Sequence, residues 1–261
     1  MLKMKSLRES LLDDDLVTSF DKNIKAEIKK FLKLNYKGYS NCKISIEPNQ
    51  YGKYEVSSTK DIEVKNKKIT SLTNGAFVWS EVDGNFNCSH CIELESLNGA
   101  PKKVSGTFSS ILCSGLTSLE GAPKEVGNSF LCSVCYALKT LEGAPKSVAS
   151  EFNCSNCIKL TSLKGAPQKV NDFVCSHCIG LKSLEGAPKE TTNKFICSSC
   201  ASLTSLKGIS KTAKVIDASN NVNLKSLDGL PEEADYVWVP KHFTEDDVRK
   251  ICKVRDHVVL Y

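Results

Sequence analysis

The segments SLNGAP, SLEGAP, TLEGAP, SLKGAP, SLEGAP, SLKGIS and SLDGLP place Gly99, Gly121, Gly143, Gly165, Gly186, Gly208 and Gly229 at intervals of 21 or 22 residues. A fixed period in the low twenties confines the chain to a solenoid, because one such unit cannot bury its apolar face alone and must stack on its neighbours. The unit reads V-x-x-x-F-x-C-S-x-C-x-x-L-x-S/T-L-x-G-A-P. It is complete from Val126 to Pro145 and degenerate from Val215 to Pro231. The solenoid is expected over residues 59–240.

Aligned on this period, the chain resolves into columns. Phe86, Phe108, Phe130, Phe152, Phe173 and Phe195, then Ile216 and Val237, are followed two positions later by Cys88, Ser110, Cys132, Cys154, Cys175, Cys197, Ala218 and Val239. Apolar or small residues at i and i+2 mark one face of a short strand. Three positions further stand Cys91, Cys113, Cys135, Cys157, Cys178 and Cys200, replaced in the last copy by Asn221. Two leucines three residues apart then close each unit, Leu94 and Leu97 in the first and Leu224 and Leu227 in the last.

These columns resemble the leucine-rich repeat pattern L-x-x-L-x-L-x-x-N/C-x-L, which accepts Asn or Cys at the turn after its strand. The resemblance covers about two thirds of the chain and is nearest to the short bacterial and phage variety, in which an extended Pro-containing segment replaces the return helix. GAPKEV and GAPKSV stand at that place. The resemblance implies an α/β-type repeat solenoid with a parallel sheet, and it implies an architecture without an activity. Phe in place of the usual strand aliphatic, and Cys in place of the second, depart from the pattern. The opening SLRESLLDDDLV is also similar to the N-terminal segment of uncharacterised repeat proteins from gut-type tailed phages. That similarity implies a phage-encoded protein, located in the host cytoplasm or the virion.

The CxxC spacing invites a zinc or iron–sulfur reading in which neighbouring coils pool Cys132, Cys135, Cys154, Cys157, Cys175, Cys178, Cys197 and Cys200 as ligands. Against it stands the in-phase replacement of cysteine by Ser110, Ala218 and Asn221, which a required ligand does not tolerate. Cysteine also packs as a small buried hydrophobe. The favoured expectation is two columns of reduced core thiols and no cofactor, with the metal site kept as the alternative. Thirteen cysteines, an odd number, together with no apolar leader, fit a cytoplasmic chain whose thiols stay reduced. His90 and His177, between the two cysteines of their units, are expected to point outward.

Each GAP is expected to be a corner, with Gly supplying the turn and Pro the extended exit. The ends of a solenoid must be sealed. Ile24, Ile28, Phe31 and Leu32 share one helical face, with Asp21 suited to start that helix, and two short strands joined around Pro48 to Gly52 follow. Residues 19–58 are therefore expected to form an α+β N-terminal cap. Residues 241–261 are expected to form a helix–strand C-terminal cap, with Thr244 and Asp247 in capping-box spacing and HVVLY as a closing strand. Residues 1–18, with Leu7, Leu11, Leu12 and Leu16 beside Asp13 to Asp15, read as a mobile amphipathic segment or a detachable docking peptide.

No reactive constellation, phosphate loop or metalloprotease motif occurs in the sequence, so an enzyme is not expected. Lys and Arg exceed Asp and Glu by 35 − 30 = 5. That excess matters only if clustered. Lys102, Lys124, Lys146, Lys169, Lys189 and Lys211 do recur once per coil, but Glu120, Glu125, Glu142, Glu185 and Glu190 interleave, so a mixed-charge face is expected and nucleic acid is disfavoured. No run is long and apolar enough to enter a membrane. Recognition of another protein is left to the outward strand positions, where Leu131, Asn153, Val174, Ile196, Asp217, Tyr236 and Trp238 are the expected contacts. A competing expectation has Tyr236 and Trp238 packing under the C-terminal cap.

Overall fold

The structure, a computed structural model, describes residues 14–261, with side chains from Ser19 onward. Most of the expected docking segment 1–18 therefore lies outside the described residues. The chain enters through α1 (Asp14–Asn35), β1 (Tyr36–Lys37), β2 (Cys42–Ile44), β3 (Tyr54–Ser58) and β4 (Ile62–Val64). Eight strands follow in turn: β5 (Phe77–Val82), β6 (Phe86–Asn87), β7 (Lys103–Val104), β8 (Phe108–Ser109), β9 (Glu125–Val126), β10 (Phe130–Leu131), β11 (Ser147–Val148) and β12 (Glu151–Asn153). Then come β13 (Lys169–Val174), β14 (Glu190–Ile196), β15 (Val215–Asp217), β16 (Glu233–Val239), α2 (Glu245–Arg249) and β17 (Lys253–Leu260).

These elements wind a mostly-β parallel solenoid of about nine turns. A long sheet of 11 strands runs β1-β4-β6-β8-β10-β12-β13-β14-β15-β16-β17, and a 6-stranded sheet runs β11-β9-β7-β5-β3-β2 along another side. The expected α/β-type solenoid is thereby corrected, since among the described residues helices occur only at the two ends. The reason lies in the return path. Pro145 leaves the corner in a fixed extended conformation, and a handful of residues must reach Phe152 while turning Val148 into the core. That length and alternation suit a strand, and the returns pair as the second parallel sheet, with Val104, Val126 and Val148 buried beneath it.

Each corner is a hydrogen-bonded turn. In the best copy the Ala144 amide donates to the Leu141 carbonyl at 3.0 Å, and Gly143 takes φ +91° at the third position, as a type II turn requires. A Cβ at Gly143 would stand 2.5 Å from the Glu120 amide nitrogen of the coil below, so the corner demands glycine both for its dihedral and for the stacking distance.

Register keeps every column intact: Phe108, Phe130, Phe152, Phe173 and Phe195 pair in succession along the long sheet. Their rings form a buried stack from Phe86 to Phe195, with centroids 5.2–5.7 Å apart and planes within 13° of each other except at the last step, tilted by 38°.

The residue between the two cysteine columns does face outward, but it also carries the turn. His90, Leu112, Val134, Asn156, His177, Ser199 and Asn220 all adopt left-handed backbone, with φ of 57–67°. In this conformation the Val134 amide donates to the Ser155 carbonyl of the next coil at 2.8 Å. Asn adopts such a geometry readily, whereas a β-branched residue such as Val134 adopts it only under strain. Val134→Asn should therefore stabilise the protein by about 1 kcal/mol, read as a higher urea midpoint with an unchanged slope; a lower midpoint would contradict this.

At the N-terminal end, α1 lays Ile28 and Leu32 into the core as its periodicity predicts, but Asp21 sits inside the helix and does not start it. β2 and β3 form the expected antiparallel hairpin. β3 also pairs parallel with β5, so the segment read as cap supplies a strand of the coils as well. At the other end the Thr244–Asp247 capping box is present, and Val248 of α2 is buried against the interior. β17 runs parallel beside β16, so it extends the long sheet by one strand and becomes its edge. Exposed Lys253, Arg255 and Asp256 give that edge the charge that discourages further pairing.

Candidate functional site: the outer face of the long sheet

The sheet register brings the expected contact residues into one outward column. Leu131, Asn153, Val174, Ile196, Asp217 and Trp238 are successive partners across β10, β12, β13, β14, β15 and β16, and all six are half-buried. Their chemistry divides them. Asn153 Oδ1 accepts from the Ser155 amide at 3.0 Å and its hydroxyl at 2.8 Å, while its amide nitrogen donates to Glu151 at 2.7 Å. Asp217 Oδ1 likewise accepts from the Ser219 amide at 2.9 Å and hydroxyl at 2.6 Å. Both side chains close the turn that follows their strand, which commits all of Asn153's amide but only Oδ1 of Asp217. The apolar members Leu131, Val174, Ile196 and Trp238 are the ones left for contact, with Val174 and Ile196 directly adjacent.

Tyr236 and Trp238 stack with centroids 6.0 Å apart and planes 15° apart. They are flanked in register by His257 and Val259 of β17. The cap strand β17 lies beside them in the sheet plane, both residues are half-buried, and α2 contributes Val248 to the interior. Asp256 close to the Tyr236 hydroxyl raises its pKa, marking an electrostatically negative spot at the rim. Val259 and His257 extend this corner and were missed because HVVLY reads as a lid when its pairing partner is unknown.

The thiol columns are fully buried, from Cys88 to Cys200. From Cys113 onward, the second cysteine of each coil donates Sγ–H to a carbonyl of the coil before it. Cys113 reaches Cys88 O at 3.2 Å, Cys135 reaches Ser110 O at 3.2 Å and Cys157 reaches Cys132 O at 3.3 Å. Cys178 and Cys200 repeat the contact onto Cys154 and Cys175, each at 3.2 Å. Where Asn221 replaces the cysteine, its amide donates to Cys197 O at 3.0 Å, which explains why the two residue types exchange in phase. Among the described residues no three His, Cys, Asp or Glu side chains converge as a group able to hold a metal ion. The proposed ligands Cys132, Cys135, Cys154, Cys157, Cys175, Cys178, Cys197 and Cys200 recur once per coil in two columns, and Cys135, Cys157, Cys178 and Cys200 are tied to backbone carbonyls.

Burial raises the pKa of Cys132 and Cys197 well above the ordinary thiol value and pushes Cys91 and Cys157 up to about 12. In the pairs Cys88/Cys113 and Cys175/Cys200 the interaction between the two sulfurs, ahead of burial, raises the first member's pKa well above the ordinary value and lowers the second's. The thiols with raised pKa are poor nucleophiles, and full burial withholds Cys113 and Cys200 from solvent as well.

On the return side, Glu81, Lys103 and Glu125 are in register, and Lys169 pairs with Glu190 at 2.8 Å. Opposite charges alternate along this strip, and within the once-per-coil lysine column Lys169 is the member held in an ion pair among the described residues. No helix among the described residues is long and apolar enough to cross a membrane.

Fold and surface together define a parallel β-solenoid with a sealed apolar interior and a long sheet whose outer face is open. Comparison with protein-family models, with curated proteins and with solved structures returned no match.

Proposed function

We propose that the protein is a non-enzymatic scaffold of leucine-rich-repeat type that binds another protein through the outer face of its long sheet. The observation that carries this reading is the apolar track on an uncovered sheet: Leu131, Val174 and Ile196 on one side, and the stacked Tyr236–Trp238 pair with Val259 at its end. Aromatic anchors beside aliphatic neighbours are the usual hot-spot composition of a protein interface. The similarity of SLRESLLDDDLV to phage repeat proteins supports a phage-encoded chain, with a virion component or a host factor as the partner. Replacement of Val174, Ile196 and Trp238 by serine is expected to abolish capture of that partner from a producing-cell lysate while leaving the far-UV spectrum native. Undiminished capture would reject this face. The rival reading, a metal protein built on stacked CxxC pairs, predicts stoichiometric zinc or iron in elemental analysis of the purified protein, whereas the scaffold predicts none.

A further inference from the structure

A second apolar surface lies past the turn that follows the long sheet, on a face the sheet-binding reading does not use. The residue after the second cysteine column is Ile92, Tyr136, Ile158, Ile179 and Val222 in five of the coils, with Ser114 and Ala201 between. These five side chains are 56%, 44%, 40%, 49% and 70% exposed, more open than any of the half-buried residues on the sheet face. The core needs nothing at this position, as Ser114 and Ala201 show, so the large apolar residues there are not explained by folding. Tyr136, Ile158 and Ile179 occupy three consecutive coils and form a continuous stripe.

Along the middle of the stripe the flank is basic, whereas Glu93 and Glu95 make it acidic beside Ile92. Three residues further along each coil the column reads Glu95, Thr117, Lys139, Thr161, Lys182, Thr204, Lys225, and Lys159 adds a cation next to Ile158. Backbone bonds hold this column in step, the Lys139 amide donating to Thr117 O at 3.3 Å and the Thr161 amide to Lys139 O at 3.2 Å. Among the described residues Lys139, Lys159, Lys182 and Lys225 make no ion pair, whereas Lys164 pairs with Glu142 at 2.9 Å and Lys169 with Glu190 at 2.8 Å. On the opposite flank, Val134, Asn156 and His177 offer no carboxylate.

We propose that this stripe is a docking surface for an acidic amphipathic helix of a partner protein. Coils succeed one another about every 4.8 Å, close to the 5.4 Å pitch of an α-helix. A helix laid along the axis therefore sets one apolar residue per turn against Tyr136, Ile158 and Ile179 in succession. An extended strand, whose same-face residues repeat about every 6.7 Å, falls out of step at once. Carboxylates on the side of that helix meet Lys139 and Lys182, two coils apart, at every second turn.

The test uses the full chain and a labelled synthetic helix of about four turns, with leucine at i, i+3, i+4 and i+7 and glutamate beside them, followed by fluorescence anisotropy. Binding is expected, weakening as salt rises, and Ile158→Asp and Ile179→Asp should each weaken it about tenfold or more. Lys139→Glu and Lys182→Glu, at exposed positions outside the core, should do the same and keep the test readable if an apolar variant loses its native spectrum. The same peptide with lysine for glutamate should not bind. Failure of the acidic peptide to bind, equal binding of the basic one, or indifference to all four substitutions overturns the proposal. Sedimentation with phosphatidylserine vesicles that is lost in these variants, without peptide binding, also overturns it and assigns the stripe to a lipid surface.

Discussion

Raised from neutral pH to about pH 10, the protein is expected to unfold in one cooperative step and to expose all its thiols at once. Eight repeat thiols, Cys88, Cys91, Cys132, Cys135, Cys154, Cys157, Cys175 and Cys197, have no accessible surface and carry raised pKa values. In the unfolded chain they ionise near the ordinary thiol value of about 8.5. Above that pH the unfolded state holds fewer protons than the native state, so stability is full below about pH 8.5 and falls as the pH climbs toward the folded values. Each such thiol removes up to about 1.4 kcal/mol per pH unit. Eight acting together over one and a half units reach at most on the order of 15 kcal/mol, of which Cys113 and Cys200, with lowered pKa, offset a part, and the balance is comparable with the whole stability of an ordinary domain. Far-UV circular dichroism and uptake of a water-soluble alkylating reagent should change together with one midpoint between about pH 9 and 10.5. Native dichroism at pH 11, or thiols that react one after another in folded protein below pH 9, would show that these sulfurs are not dry core.

The second large effect is expected from Phe130→Ala. Phe130 lies between Phe108 and Phe152, with centroids 5.2 and 5.3 Å away and nearly parallel planes, and it has no exposed surface. Removing it opens a cavity in the middle of a one-dimensional stack and strips a ring contact from both neighbours. The cost should be about 3–5 kcal/mol. Since each coil leans only on the two beside it, the break separates the two halves of the solenoid, and equilibrium urea unfolding should lose cooperativity as well as midpoint. Phe195→Ala is the informative comparison. Its ring has an aromatic neighbour on one side only, tilted by 38°, with Ile216 next in register on the other. It should cost less than Phe130→Ala. Equal losses, or a loss below about 1 kcal/mol at Phe130, would mean that the stack does not hold the coils together.

The columns of the core were legible because a repeat presents the same environment again and again. Phe130, Cys132, Cys135, Leu138, Leu141 and Gly143 each recur at a fixed offset, and substitution in phase, as at Ser110, Ala218 and Asn221, reveals which property a position requires. The outward column with Val174, Ile196 and Trp238 followed from strand alternation alone. Two features had a local signal that was easy to pass over. Asn156 and Asn220 announce the left-handed turn, and Asn153 and Asp217, each two residues before a serine, announce side chains that close it.

Other features had none. That the GAPKSV return pairs as a second sheet depends on the next return lying within hydrogen-bonding distance, and that β17 widens the long sheet depends on the open edge of β16. The exposure of Ile92, Tyr136, Ile158, Ile179 and Val222 likewise exists only because no other described residue covers them. The amino-acid sequence by itself determined the period, the inward columns and the glycine corners, because these depend on what each coil repeats. The tertiary structure alone decided which strands pair, where the sulfur protons point and which apolar residues stay uncovered, because hydrogen bonds and burial are set by neighbours in space about twenty residues away along the chain.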